Sequence, residues 1–379
     1  MIRNVLYIAP LILLISCSYP YPIESIGFEK ALIVNGLITG ESVNQRIELS
    51  MASRLDTLFM TPSRDAEVIV TKNFTESFTF EETGAGIYQS IEPFKGDVGD
   101  QFELSISLSS GESFKSEVVT HKEAMPVDSI AAIYTNKNGT GGIEMRAIST
   151  RTSNEVKYLR WTYDETYEIK VPFASLFEWL GGDKTKIREP TEQVETCWRT
   201  LKADKYFVKD LKSTAIDGRL AVPIHFIPNE AVELRHKASF LVSQYTLDFS
   251  GYSFWNTLDR LISENGSLVD VQPGNPVGNI FSKGDHAVIG YFDASDVSEK
   301  RVFIEPSDFE GKFITSRFDW DRCVQNTIST RELENFMKNG GSENYVLYRQ
   351  LDPGGFTYVL KSCGDCRVYG TNTKPEFWQ

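Results

Sequence analysis

Between residues 28 and about 123 apolar and polar residues alternate, with turn residues separating the runs. Phe102-Glu103-Leu104-Ser105-Ile106-Ser107-Leu108 alternates without a break, turns at Ser110-Gly111 and returns as Ser113 to Thr120. Ala31-Leu32-Ile33-Val34, Arg46-Ile47-Glu48-Leu49, Glu67-Val68-Ile69-Val70 and Ser77-Phe78-Thr79-Phe80 are further short runs. A period of two sends successive side chains to opposite faces, so such runs bury one face only as strands. Turn signals every eight to twelve residues or so predict a small antiparallel sandwich over 28–125.

Gly86-Ile87-Tyr88 and the stretch from Gly96 to Leu104 resemble the spacing of immunoglobulin-like and transthyretin-like modules, a resemblance of fold alone. Pro126 marks the expected boundary with a second, larger β-rich domain over 126–379. Its strand-like runs are Asp128 to Tyr134, Gly142 to Ile148, Lys157 to Val171, Leu220 to Ile227 and Ala238 to Leu247. Residues 173–212, with Gly181-Gly182, Pro190 and mixed charge, read as a long inserted loop. Two short helices are expected. One lies near 251–265, with Ser250 as cap, Trp255, Leu258 and Ile262 on one face, and Gly266 as stop. The other lies near 330–338, between a Ser329-Thr330-Arg331-Glu332 capping box and Gly340-Gly341. The fold class is mainly β: an N-terminal sandwich followed by a larger β-rich domain with a few short helices.

The chain starts with an export signal. Arg3 is a short positive region, and Val5 to Ile15 is an apolar core too short to span a bilayer as a permanent helix. It ends in Leu14-Ile15-Ser16-Cys17, which resembles the bacterial lipobox. Residues 1–16 are therefore expected to be removed as a lipoprotein signal peptide. Cys17 would carry the lipid, and residues 17–27, with two prolines, would form an extended tether. Ser18 follows the Cys in place of the Asp that retains many lipoproteins in the inner membrane. An outer-membrane lipoprotein is expected, at the cell surface, with the periplasmic face left open.

Four cysteines remain after Cys17: Cys197, Cys323, Cys363 and Cys366. An even count in an exported chain predicts disulfides, and four cysteines allow three pairings. Cys363-Gly364-Asp365-Cys366 has redox-motif spacing, but thioredoxin chemistry needs the first Cys at a helix N-terminus. Here a strand-like run precedes the pair and no helix is expected after it, so structural bridging is favoured over redox or zinc chemistry.

With 39 Lys and Arg against 52 Asp and Glu the formal charge is −13, which repels phosphate backbones and argues against nucleic acid as a partner. The four histidines, His121, His225, His236 and His286, show no ligand spacing. No G-x-S-x-G elbow, P-loop or G-x-G-x-x-G occurs, and the acidic clusters lack EF-hand spacing. Gly139-Thr140-Gly141-Gly142 reads as a hairpin turn. No catalytic residue, metal or cofactor is predicted. The candidates are binding residues instead: Phe177 and Trp179, an apolar cluster inside the polar insertion, and Pro273 and Asn275, in a rigid loop after the first helix. Asp56-Thr57-Leu58 and Asp128-Ser129-Ile130 resemble an O-glycosylation triplet.

A wider set of pieces resembles the lipoprotein family of Bacteroidota known as domain of unknown function 4249. They are Ala31 to Gly36, Arg160-Trp161-Thr162-Tyr163, Cys197-Trp198, Ser243-Gln244-Tyr245 and Phe254-Trp255. Asp270-Val271-Gln272-Pro273, Gly278-Asn279-Ile280, Gly290-Tyr291-Phe292, Cys363 to Arg367 and Lys374 to Trp378 complete it. The resemblance implies a setting, because such lipoproteins are commonly encoded beside TonB-dependent outer-membrane transporters. The expectation is a noncatalytic accessory lipoprotein partnering such a transporter in nutrient capture. The alternative is an independent surface module that binds glycan or peptide.

Overall fold

The computed structural model describes residues 31–52, 60–182, 184–188, 192–203, 205–263, 276–284, 286–309, 311–312 and 323–379. Cys17, Pro273 and Asn275 lie outside the described residues, as do Gly266, Asp56-Thr57-Leu58 and the acidic cluster at Asp319-Trp320-Asp321. The described chain is mainly β, with a few short helices.

The expected alternation is visible in the first body. The Gln101–Ser107 strand buries every second residue, and Phe102, Leu104 and Ile106 are almost wholly enclosed. They meet Leu32, Val34, Ile47, Leu49, Val68 and Val70 in one core. The strands of this core belong to a single eleven-stranded sheet that curls around it. Residues 28–125 do not supply all of that sheet. Strands Ile280–Ser282 and Val288–Ala294 close its two ends. Val288–Ala294 runs parallel to Ala31–Ile38, and Phe292 and Ala294 enter the core. The division at Pro126 is corrected accordingly: the N-terminal body borrows strands from the far half of the chain. Otherwise the Ala31–Ile38 strand would present a row of unpaired backbone groups.

The second body is a sandwich. Strands Ser129–Lys137, Thr140–Thr150 and Arg219–Pro228 form one sheet. Tyr158–Lys170, Thr196–Lys202, Phe207–Asp210, Ala238–Leu247 and Val297–Ile304 form the other. Ile143, Met145, Ile224 and Ile227 pack from the first sheet against Trp161, Phe240 and Val242 from the second. The hairpin between the first two strands turns at Asn138-Gly139, both at positive φ (53° and 87°), as a two-residue turn matched to strand twist requires.

The third body is a small sheet of Phe177–Gly181, Lys184–Ile187, Asn326–Ile328, Tyr345–Gln350 and Phe356–Leu360. Residues 173–212 are thus not one irregular loop. They hold four strands, two in this sheet and two in the sandwich, and Gly181 and Gly182 form a hairpin turn at positive φ. Short strands with charged residues on one face leave little periodic signal, and their partners lie far along the chain.

Helix α1 (Phe249–Ser263) starts earlier than expected. Asp248 caps it, its Oδ1 accepting from the Gly251 amide at 2.7 Å, and Ser250 lies inside the helix. Helix α2 (Thr330–Phe336) has the expected capping box: the Ser329 hydroxyl accepts from the Glu332 amide and lies 2.6 Å from its carboxylate. Leu333 and Met337 seal the third sheet.

Two disulfides select one of the three pairings: Cys197–Cys366 and Cys323–Cys363. Cys363 and Cys366 therefore hold different partners, and all four sulfurs are used structurally. Helical turns do occur at Lys361–Gly364 and Cys366–Val368, where none was expected, but each is a single turn. Cys197 sits on a sandwich strand, so its bridge ties the C-terminal segment to the second body. Trp378 adds to that tie, edge-on to Trp198 at 6.2 Å and to Phe303 at 5.5 Å.

Candidate binding cleft

The segment linking the first two bodies is stitched down along its length. Gln244 donates from Nε2 to the Met125 carbonyl at 2.5 Å, and the Val127 amide donates to Ser298 Oγ at 2.9 Å. Gln244 is itself held in the core, its Oε1 accepting from Trp161 Nε1 at 2.6 Å and from Ser149 Oγ at 2.8 Å. A fixed linker fixes the angle between the bodies, and a cleft of about 850 Å³ opens at their junction. Val98 and Lys122 line it from the first body, and Tyr158, Lys212, Asp248 and Phe249 from the second.

Its most exposed aromatic is Phe249, the first residue of α1, with 65% of its surface open. It rests against Tyr158 at 5.9 Å, and Tyr252 stacks on Tyr158 at 4.7 Å. The Lys212 ammonium lies 5.1 Å from the Tyr158 ring and 5.8 Å from that of Phe249. Its hydrogen bond to the Tyr158 hydroxyl holds the lysine above its ordinary pKa. An aromatic shelf crossed by a cation suits a ligand with a flat or apolar body and an acceptor group.

At the back of the cleft the bodies share a polar joint, in which Tyr291 and Asp293 are buried and Asp248 stays exposed. Asp248 Oδ1 also accepts from the Tyr291 hydroxyl at 3.0 Å. Lys122 is ion-paired with Asp293 and lies 3.9 Å from Asp248. Burial pushes the Asp293 carboxyl up, against the pull of Lys122. Deeper still, the Arg160 guanidinium is held between Tyr245 and Trp255, 4.3 and 4.2 Å from their rings. Burial lowers its pKa, and its Nε has no hydrogen-bond partner.

Of the expected binding residues, Phe177 and Trp179 line a separate small cavity in the third body and not this cleft. Phe177 and Trp179 are half-buried in the third body, Phe177 edge-on to Phe356 at 5.5 Å. Trp179 Nε1 donates to the Gly182 carbonyl at 2.9 Å, closing its own hairpin turn. The apolar cluster tucks inward because it is the inner face of a hairpin. Tyr158, Lys212, Asp248 and Phe249 carried no motif in the sequence. Asp248 was legible only as an acidic residue ahead of a helix. Among the described residues no cluster of His, Cys, Asp and Glu could hold a metal, and no helix is long and apolar enough to cross a membrane.

Several described residues that carried the family resemblance are joints of the fold. Arg160 and Trp161 face Tyr245 and Gln244 across neighbouring strands. Asn279 exchanges two hydrogen bonds with the backbone of Phe292, at 2.7 and 2.9 Å. Three β bodies, the second tied to the C-terminal segment by the Cys197–Cys366 disulfide, with an open cleft where the first two meet, make up the described residues. The chain belongs to the family described as Domain of unknown function (DUF4249), whose model matches residues 18–301. No curated protein matches the chain. Among solved structures, E. coli alpha-2-macroglobulin in its native conformation aligns with 80% of this chain at 11% identity and a TM-score of 0.18. This chain spans 15% of that one, and a likeness at that level carries no argument.

Proposed function

We propose that the protein is a noncatalytic lipoprotein of the outer membrane, anchored through Cys17, that accompanies a TonB-dependent transporter and holds cargo in the junction cleft. The observation that carries this reading is the cleft itself. Its volume of about 850 Å³ falls in the range of small-molecule and short-segment sites, roughly 300–1,000 Å³. Its open aromatic is Phe249, backed by the buried Tyr158 and flanked by Lys212, with the polar joint of Asp248, Tyr291, Lys122 and Asp293 beside it. Such lining supplies stacking and a fixed charge, which recognise a ligand. The lipobox and the setting that the family resemblance implies support the membrane and transporter parts of this reading.

The test is recovery of C-terminally tagged protein from outer membranes in mild detergent, with the retained proteins identified by mass spectrometry. One TonB-dependent barrel in near-equal amount is the expected result. Recovery of the lipoprotein alone overturns the partnership. The exposed Phe249 ring would then favour the second reading, an independent module for glycan or peptide, and binding by the purified chain should fall in Phe249→Ala.

A further inference from the structure

A second site lies inside the sandwich, away from the junction. On strand Tyr158–Lys170 the alternation that buries Trp161, Tyr163 and Tyr167 also buries a carboxylate, Glu165, only 3% exposed. One of its oxygens, Oε2, lies 3.3 Å from His225 Nε2 on the facing sheet, while Oε1 has no hydrogen-bond partner. The other ring nitrogen of His225, Nδ1, is 2.7 Å from the Tyr163 hydroxyl. A carboxylate beside Nε2 favours the imidazole proton on that nitrogen, and Nδ1 then accepts from Tyr163. Tyr163 and His225 share a hydrogen bond, and the Glu165 carboxylate stands beyond it as an ion-pair contact.

A core built for stability alone would put an apolar residue in place of Glu165, because a buried carboxylate with an idle oxygen costs more than it returns. Here the three side chains end at an opening. Tyr163 and His225 form one wall of a cavity of about 250 Å³, with Phe207 and Phe226 on its other sides and Lys137 and Lys205 at its edge. The Lys137 ammonium lies 5.8 Å from the Phe226 ring. Glu144, also on the lining, is ion-paired with Arg146, which leaves the two lysines as the charge the cavity presents.

We propose that this cavity binds a small carboxylate-bearing molecule with a flat, apolar body. Phe207, Phe226 and Tyr163 hold the body, Lys137 and Lys205 hold the carboxylate, and Glu165 acts as a positioning residue that fixes the His225 tautomer. The site does not rest on the outer-membrane reading, and its test needs neither membrane nor transporter.

The probe is benzoate, with benzyl alcohol as the ring without the charge, added to the full chain in mild detergent and followed by saturation-transfer NMR. Benzoate should bind, and benzyl alcohol about tenfold more weakly. Lys137→Ala with Lys205→Ala, both exposed and outside the core, should weaken benzoate by about tenfold at an unchanged melting temperature. In Glu165→Gln the imidazole nitrogen resonances of His225 should show the Nε2–H tautomer less populated, since an amide oxygen accepts more weakly than a carboxylate and the amide can turn its donor to the ring, a readout that a merely structural role would not move. Equal affinity for the two probes, undiminished binding by the double variant, or no benzoate binding by folded protein would each overturn the proposal. Should Glu165→Gln not fold, the lysine variant and the uncharged probe still decide the matter.

Discussion

Gly290 lies opposite Val34 in a parallel ladder that joins the far half of the chain to its first strand. A Cβ on Gly290 would sit 2.1 Å from the Val34 carbonyl oxygen, and one on Gly278 would sit 1.8 Å from the carbonyl oxygen of Gly290. Three stretches of backbone meet here without room for a side chain, and the N-terminal sheet is closed by that contact.

Gly290→Ala should therefore destabilise the protein by about 1–3 kcal/mol, the usual range for overpacking. Urea unfolding checks the magnitude. Hydrogen exchange checks the place, since protection should fall first in Ala31–Ile38 and Val288–Ala294. Unchanged exchange in both strands would show that the ladder does not depend on the glycine.

Gln244 serves Trp161, Ser149 and the Met125 carbonyl at once. Gln244→Leu leaves all three without that partner, at about 1–3 kcal/mol for each group left unsatisfied. Trp161→Phe added to Gln244→Leu should recover part of the loss, because an indole N–H that is gone needs no acceptor. A double-mutant cycle by chemical denaturation measures the recovery, and simple additivity would contradict the coupling.

Peptide mapping without reduction should give Cys197–Cys366 and Cys323–Cys363, with no 363–366 bridge. Replacing Cys197 and Cys366 together by alanine should cost about 2–5 kcal/mol. Limited proteolysis should then cut first between 361 and 379, since that bridge ties the segment to the sandwich.

Asp100 gives a pH signature. Burial acts to raise its carboxyl, but hydrogen bonds from Lys72, Asn73 and the Asp97 amide, with the Lys72 charge, outweigh it and hold the group at about 2. A carboxyl held lower in the folded state stabilises at pH values above its unfolded pKa, and loses that contribution as pH falls through the folded value. Asp100→Asn should thus be less stable than the parent at neutral pH. The difference should shrink as pH falls below about 5 and be gone only below pH 2, where both states are protonated. Denaturation midpoints across that range test it, and a gap that stays undiminished down to pH 2 would assign the loss to packing.

How much of this was legible follows from which interactions are local. The alternation of Phe102 to Leu108, the Ser110-Gly111 turn and the Ser329 capping box involve neighbours in the chain, and each stands where the residues predicted it. The hairpin inside 173–212 was missed because its strands are short and its ladder partner, Tyr345–Gln350, is remote. Which way Phe177 and Trp179 turn was hidden for a related reason. An apolar cluster such as Phe177 and Trp179 looks the same in sequence whether it faces solvent or closes a hairpin.

Taken alone, the residues determined a mainly β chain, an even set of bridging cysteines and the family to which it belongs. Period, turn chemistry and motif are properties of neighbouring positions, and they survive without a third dimension. Only the tertiary structure decided that strand Val288–Ala294 closes the first sheet, which cysteines pair, and that Tyr158, Lys212 and Phe249 share a cleft. Those facts depend on contacts between segments far apart in the chain. Such contacts form where buried area and backbone pairing are greatest for the whole molecule, and no local pattern records them.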